Sequence, residues 1–483
     1  MEAETLKGDP VNDEKRSLQQ LIDSTPNLVE YLFNETLGTH TRVRFDMSPV
    51  PVEVSNWRDE QRAWRETAVL FDQTHHMPEL FLSGPDALRL LNHLGVNSLT
   101  NLQPGVAKQF VACNESGQMI GECILHDLGG TYELISGKPL LNWVRFHAET
   151  GDYDVTYEVD EATWDNTTGR RRNFRYQIDG PNGGMIFDKL VEGEVPTIPF
   201  FRSTKVTIAG VEVMAFRHGM AGHRGYEISG PFEAGEAVRE AILAAGEEHG
   251  IRAAGQKAYF TGALESGWVS YPIPAIYTDD RLRAYREWLP ADEWEGNFDF
   301  GGSFFSENIE DYYTTPFDLG LSRVVKFDHD FIGRDALQRI AEAPPRTKVA
   351  LAWNTDDVLR IYASQFSEGP AFKSIRFPAS DYAQMQRDEV RAPDGRLVGL
   401  STHGGYTVNE KTVISHCIID AEFAEPGTEV IITWGEPGGG SRKPFVERHE
   451  QTTVRATVES VPFASTVRTL KRSDFVREDS AQR

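Results

Sequence analysis

The side chains of this 483-residue chain that could carry chemistry are scattered, and no single stretch holds a complete catalytic set. Gln73 and the pair His75-His76 stand together in Leu70-Phe71-Asp72-Gln73-Thr74-His75-His76-Met77-Pro78. Glu227 follows Gly225-Tyr226 on a segment that reads as a strand, Tyr259 follows Ala258, and Trp268 closes Glu265-Ser266-Gly267-Trp268. An ionised carboxylate such as Glu227 suits a ligand edge of N–H donors, because charge-assisted hydrogen bonds are the stronger ones. The indole face of Trp268 suits a flat ring, and the amide of Gln73 donates and accepts at once. Tyr259 offers a hydroxyl, and Lys138, in Ile135-Ser136-Gly137-Lys138-Pro139, a cation for a carboxylate. Each also has an ordinary structural reading: a solvent-facing Glu227, core positions for Trp268 and Tyr259, a satisfied Gln73, a structural His76, a solvated Lys138.

Other chemistries are missing. There is no Walker loop, no HExxH and no Cys/His pattern of a Rieske centre. His75 and His76 read as neighbours on a strand, where they point to opposite faces, so no metal site is expected. The 49 basic against 73 acidic residues leave a net charge of −24, which argues against a nucleic-acid backbone or an anionic membrane surface as partner. The three cysteines, Cys113, Cys123 and Cys417, form no CxxC pair, so neither a disulfide framework nor a thiolate metal site is expected. Met1–Arg16 is polar and unlike a signal peptide, and no apolar run reaches the roughly 18 residues of a spanning helix. A cytoplasmic protein is the expectation.

The elements that must position these residues can be read in part. Leu18–Leu32 patterns as a helix interrupted near Pro26, and another helix starts near Asn56, carrying Trp57, Trp64 and Ala68 inward. Leu80-Phe81-Leu82 reads as a strand running through Ser83-Gly84-Pro85-Asp86 into an apolar helix. Ser83 or Gly84 would cap it, Pro85 sits in its first turn and Gly95 at its exit. The phrase returns about 96 residues on, where Gln177-Ile178 leads through Asp179-Gly180-Pro181 to Met185, Ile186 and Leu190, which points to a duplicated α+β unit. Lys205–Val213 reads as a hairpin turning at Ala209-Gly210, and Glu233–His249 as an amphipathic helix closed by Gly250. Beyond Pro344-Pro345 the texture turns to strands, at Lys348–Trp353, Arg396–Thr402, Lys411–Ile419 and Glu429–Trp434. The expected layout is a mobile 1–16, a region 17–342, a barrel or jelly-roll-like module over 343–471, and a tail 472–483.

Taken in order, several phrases over roughly residues 55–435 resemble the glycine-cleavage T-protein family. They are Phe71-Asp72-Gln73-Thr74-His75-His76-Met77 with Ser83-Gly84-Pro85-Asp86-Ala87, then Gly225-Tyr226-Glu227-Ile228, and Glu265-Ser266-Gly267. Thr315-Pro316, Phe331-Ile332-Gly333-Arg334-Asp335-Ala336-Leu337 and Gly399-Leu400-Ser401-Thr402-His403-Gly404-Gly405 complete the set. Gln73-Thr74-His75-His76, Ala258-Tyr259, Trp268 and an aromatic stretch over 271–313 are similar to one branch, the tetrahydrofolate-dependent vanillate and syringate O-demethylases.

The resemblance implies an α+β folate-binding fold, with two related subdomains around a central site and a C-terminal barrel. It implies methyl transfer from a methoxylated aromatic acid to N5 of tetrahydrofolate, with a phenol as the other product. Glu227, Trp268 and Gln73 would bind the cofactor, Tyr259 would be the proton donor to the leaving phenoxide, and His76 would share in that relay. Substrate would meet His76, Gln73, Tyr259 and Lys138, with the 271–313 rings as a wall. Two positions depart from the T-protein: its acidic pair corresponds to Gly117–Glu122, and an arginine corresponds to Ala263. Both speak against aminomethyl transfer, so no lipoyl carrier partner is expected. Lys138 stands where the demethylases carry a carboxylate-binding arginine, keeping the charge but losing the planar fork. Rivals are a demethylase of an aliphatic sulfonium or methylamine, which needs an aromatic cation cage, and a non-catalytic folate-binding module.

Overall fold

The structure is a computed structural model and describes residues 16–36, 49–166, 168–220, 222–269 and 272–469. The expected mobile end (apart from Arg16) and tail lie outside these residues.

Two sheets and a barrel make the framework. A six-stranded sheet runs, edge to edge, Ile251–Ala254, Ala68–Asp72, Asn173–Asp179, Tyr226–Pro231, Val211–Arg217 and Ser203–Ile208. Only its first pairing is parallel. A five-stranded antiparallel sheet runs Ala107–Cys113, Met119–Asp127, Thr131–Ile135, Glu79–Ser83 and Thr156–Asp160. Six strands between Arg346 and Glu459 close into a barrel.

Side chains alternate across a strand, and each sheet uses its two faces differently. Leu70, Tyr176, Ile178, Tyr226 and Ile228 turn one face of the six-stranded sheet onto Ile186, Phe187, Val238 and Ile242 of two helices. Leu80, Leu125 and Leu134 do the same for the five-stranded sheet, against Leu90, Leu91, Leu140 and Val144. The opposite faces carry Gln73, Arg175, Gln177 and Glu227 from one sheet, and Glu79, Glu122, His126 and Glu133 from the other. Apolar burial on the outer faces, at roughly 25 cal/mol per Å², fixes each sheet to its own helices and leaves the polar inner faces to be joined by Arg175.

The repeated phrase is a repeated structure. Glu79–Ser83 leads into the helix Ala87–Leu94, and Asn173–Asp179 into Gly183–Leu190. Gly84 and Gly180 make the same sharp exit at φ +123° and +110°, where a Cβ would meet backbone oxygen at 2.4 Å from Asp154 and 2.9 Å from Thr67. The first helix is capped at Asp86 rather than Ser83 or Gly84, so Pro85 precedes the cap instead of sitting in the first turn, and the Asp86 carboxylate binds Arg89 and the Asp154 amide rather than the helix's own amides.

The aromatic stretch is not a wall around the inner faces. Tyr277, Tyr285, Trp294, Phe298, Phe300 and Tyr312 are buried in the outer core of the five-stranded sheet, with Tyr285 edge-on to Trp143 at 5.2 Å. Rings of this size are worth most where they exclude water completely.

Candidate active site

Cross-strand register sets out the inner face of the six-stranded sheet residue by residue. Phe71 pairs with Gln177, Gln177 with Glu227 and Glu227 with Phe216, so the four side chains form one row. Two residues along from Gln177, Arg175 reaches across to the other sheet. Its guanidinium donates to Glu79 and Glu133 at 2.9 Å each and contacts the Glu227 carboxylate. All four are buried. Burial raises Glu133 to about 7, against the pull of Arg175 and with the help of Glu79 and Glu227. Gln177 donates to the His218 carbonyl at 2.8 Å, and its Oε1 has no partner among the described residues.

Gln73 to Met77 leave the sheet as a turn, not as the strand the sequence suggests. The Asp72 carboxylate accepts from the Thr74 amide at 3.0 Å, and Arg171 donates to the carbonyls of Thr74 (2.5 Å) and Met77 (2.9 Å) while paired with Asp160. The turn therefore sends the two imidazoles apart by backbone curvature. His75 meets Thr163 at 2.8 Å, and His76 points at Tyr259, with Nε2 3.0 Å from its hydroxyl. Gln73 donates to the same hydroxyl at 3.3 Å.

Tyr259 is held by the helix Gln256–Ser266. The Gly255 amide donates to Glu60 at 2.9 Å, Gln61 donates to Thr261 at 2.7 Å, and buried Glu265 is gripped by Arg65 at 2.5 Å, by Asn409 at 2.9 Å and by Thr407. The helix is thus tied to the barrel at one end and to Trp57–Glu66 along its length. Tyr259 packs edge-on to Phe71 at 5.2 Å.

His76 is buried, and desolvation, followed by Arg171, His75 and Arg175, takes its pKa down to about 3. Its Nδ1 and the Oε1 of Gln73 have no partner among the described residues. A buried polar atom left unpaired costs about 1–3 kcal/mol, which a ligand that pairs these atoms recovers. The imidazole stays neutral through the working range. A folded-state value below the ordinary 6.5 means that its contribution to stability is full above that pH and declines as pH falls towards 3. An NMR titration of His76, assigned with His76→Gln, is expected to show no inflection between about pH 5 and 9; one near 6.5 overturns this.

Trp268 follows the C-terminus of the same helix. The residue is 44% exposed, while its Nε1 donates to Glu122 at 2.6 Å. Glu122 also takes Gln109, and burial raises its pKa. Lys348 of the barrel donates to the Gly267 carbonyl at 2.7 Å. Lys138 starts the helix Lys138–Thr150 with its ammonium 3.0 Å from Asp165 and 3.6 Å from both Glu161 and Glu293. A ligand carboxylate there has to take the place of one of these three.

A cleft of about 490 Å³ opens on the helix-covered face of the six-stranded sheet, lined by Asp72, His75, Phe174, Tyr176 and Phe232, and it includes none of Tyr259, His76 or Glu227. Among the described residues no group of three His, Cys, Asp or Glu side chains is disposed to hold a metal, and no helix is long and apolar enough to cross a membrane.

Residues 35–284 match the GCVT N-terminal domain. This chain belongs to the glycine-cleavage T-protein family. Within this family, syringate O-demethylase of Sphingobium sp. (strain NBRC 103272 / SYK-6) is 43% identical over 94% of this chain and 97% of its own length. Sesamin methylene transferase of Sinomonas sp. (strain No.22) is 30% identical over 86% and 90%. The glycine cleavage system aminomethyltransferase T of Bartonella henselae superposes with a TM-score of 0.55 at 18% identity, over 85% of this chain and 90% of that one, which supports the fold. The α+β fold with a C-terminal barrel is therefore that of the T-protein family.

The family's cofactor, tetrahydrofolate, presents a flat ring with an edge of N–H donors. The residues present fit it: the Glu227 carboxylate, the unpaired acceptors of Gln73 and Gln177, and the exposed Trp268 ring. Of these, Gln177 escaped the sequence reading, as did Arg171 and Arg175. Arg170-Arg171-Arg172, a run of three arginines in a chain of charge −24, was a signal for Arg171 alone.

Proposed function

We propose that the chain is a tetrahydrofolate-dependent aryl O-demethylase that takes the methyl group of a methoxylated aromatic acid. The observation that carries the reading is the Gln73–Tyr259–His76 cluster, packed through Tyr259 on Phe71 at one end of the row that carries Gln177 and Glu227, with unpaired polar atoms on Gln73, His76 and Gln177. When bound, tetrahydrofolate supplies N5 as the methyl acceptor. Glu227, Gln177 and Gln73 hold its donor edge, and Trp268, tethered by Glu122, supports a ring face. Breaking an aryl ether by displacement expels a phenoxide, whose conjugate acid has a pKa of about 10. Tyr259 donates to that oxygen as charge develops, and neutral His76 holds the tyrosine hydroxyl in line. Alignment of the two bound molecules can supply about 7–11 kcal/mol of the barrier reduction.

The test is to incubate the protein with tetrahydrofolate and a panel of methoxybenzoates, sulfonium compounds and methylamines, and to assay 5-methyltetrahydrofolate. Vanillate, syringate or 3-O-methylgallate is expected to turn over; turnover of the aliphatic donors alone sinks the reading. Lys138 is proposed to meet the substrate carboxylate by exchange with Asp165. Lys138→Gln is then expected to raise KM for the aromatic acid about tenfold, the worth of one charge-assisted hydrogen bond. A neutral methyl aryl ether should be unaffected, and equal KM values for the acid in both proteins remove Lys138 from the site.

A further inference from the structure

Glu227 is not held by its own strand. Its carboxylate rests on Arg175, and Arg175 in turn rests on Glu79 and Glu133 of the facing sheet. One guanidinium thus serves three carboxylates from three strands of two sheets. Nearby, Arg171 pairs with Asp160 at 2.9 Å and stands 3.9 Å from Glu79. Four carboxylates (Glu79, Glu133, Glu227 and Asp160) face two guanidiniums, a formal excess of two negative charges among side chains that are nearly all buried. Such an excess costs more than a matched pair, and an environment of this kind takes up a proton.

We propose that Arg175 is a positioning residue that aims Glu227 at the ligand, and that Glu133 is the protonatable counterweight that decides how firmly Arg175 holds it. The inference rests on the folate reading above. It stands on geometry: Glu133 and Glu227 share the same guanidinium from opposite sheets, so a charge gained at one end draws Arg175 from the other. The groups facing Glu133 are Arg175, Glu79 and Glu227, with His126 as its cross-strand neighbour; Arg171, Asp160 and His218 stand behind them. His126 is buried and pushed down to about 3, so it contributes no charge in the neutral range. The titration that bears on the shared guanidinium is that of Glu133, raised to about 7. Below that pH the neutral carboxyl leaves Arg175 to Glu227 and Glu79. Above it the ionised carboxylate competes for the guanidinium, and the grip on Glu227 loosens.

The experiment measures KM for tetrahydrofolate and kcat from pH 5.5 to 9 in the wild type, Arg175→Lys and Glu133→Gln, with thermal midpoints alongside. The wild type is expected to show KM rising severalfold from about pH 6 to 8 at nearly constant kcat. Glu133→Gln, which imitates the protonated form, should flatten that rise and keep the low-pH KM. Arg175→Lys, which keeps the charge but not the fork, should raise KM at least about tenfold with kcat within threefold. A pH profile in Glu133→Gln that matches the wild type overturns the counterweight, whether or not Arg175→Lys folds. An unchanged KM in Arg175→Lys overturns its positioning role. If the wild type itself makes no 5-methyltetrahydrofolate, the folate reading falls and takes this inference with it.

Discussion

Tyr259→Phe is expected to lower turnover by about 10²–10⁴-fold, roughly 3–5 kcal/mol of transition-state stabilisation, while tetrahydrofolate binding stays within about threefold. The size follows from the reaction. A phenoxide leaves badly, and the hydroxyl 3.0 Å from His76 and 3.3 Å from Gln73 is the group placed to meet it. Phenylalanine keeps the edge contact with Phe71 and removes only that oxygen. The change also strips His76 Nε2 and Gln73 Nε2 of their shared partner, so a loss of about 1–3 kcal/mol in stability comes with it, seen as a lower thermal midpoint. A second measurement separates the two effects. Electron-poor rings make better leaving groups and need less help, so the defect should shrink as the pKa of the departing phenol falls. A defect of equal size for every ring would mean that Tyr259 is structural, and undiminished turnover would remove it from the mechanism.

Local features were legible because local chemistry makes them. Pro26 divides the first helix into Leu18–Ser24 and Leu28–Asn34, and Asn56 caps Trp57–Glu66 by accepting from the Arg58 amide. The turn at Ala209-Gly210 joins the strands Ser203–Ile208 and Val211–Arg217. The four strands read in the C-terminal part are strands of the barrel, shifted at their ends by a few residues. In each case a proline, a capping amide, a turn pair or an alternation acts within a few residues of itself.

The site was legible only through family phrases, and unevenly so. Tyr259 and His76 are 183 positions apart, and Trp268 and Glu122 are 146 apart. No periodicity encodes such meetings. Glu79 and Glu133 look like solvent-facing strand carboxylates until a second sheet is laid over them and Arg175 arrives. The aromatic stretch misled for a related reason: rings that would suit a ligand wall are chemically the same as rings that suit a core. Tyr285 went to the core because the helix Lys138–Thr150 offers Trp143 and Phe146 as partners, and Phe298 because Tyr277, Trp294 and Phe300 of its own stretch pack around it. The sequence places His75 and His76 on a strand, whereas Arg171 binds the carbonyls of Thr74 and Met77 and their segment is a turn.

Glu227→Gln distinguishes a ligand-binding carboxylate from a structural one, and the cluster around Arg175 is what makes the distinction sharp. Breaking an isolated buried ion pair costs about 3–5 kcal/mol, because the surviving charge is stranded. Here nothing is stranded: Arg175 keeps Glu79 and Glu133 at 2.9 Å each, and the formal excess of negative charge falls by one. The thermal midpoint is therefore expected to hold or rise slightly. Binding is different. The carboxylate accepts two N–H donors from a ring edge, whereas the amide accepts through one oxygen and turns an NH₂ against the other donor. A hydrogen bond to a charged group is worth about 1.5–3 kcal/mol, so KM for tetrahydrofolate should rise about 10–150-fold. Turnover at saturating cofactor should change little, since Tyr259 and His76 are untouched. A lower midpoint with an unchanged KM would make Glu227 a strut of the two-sheet interface. A raised KM at constant midpoint places it at the cofactor, and leaves Glu79 and Glu133 as the residues that carry the interface.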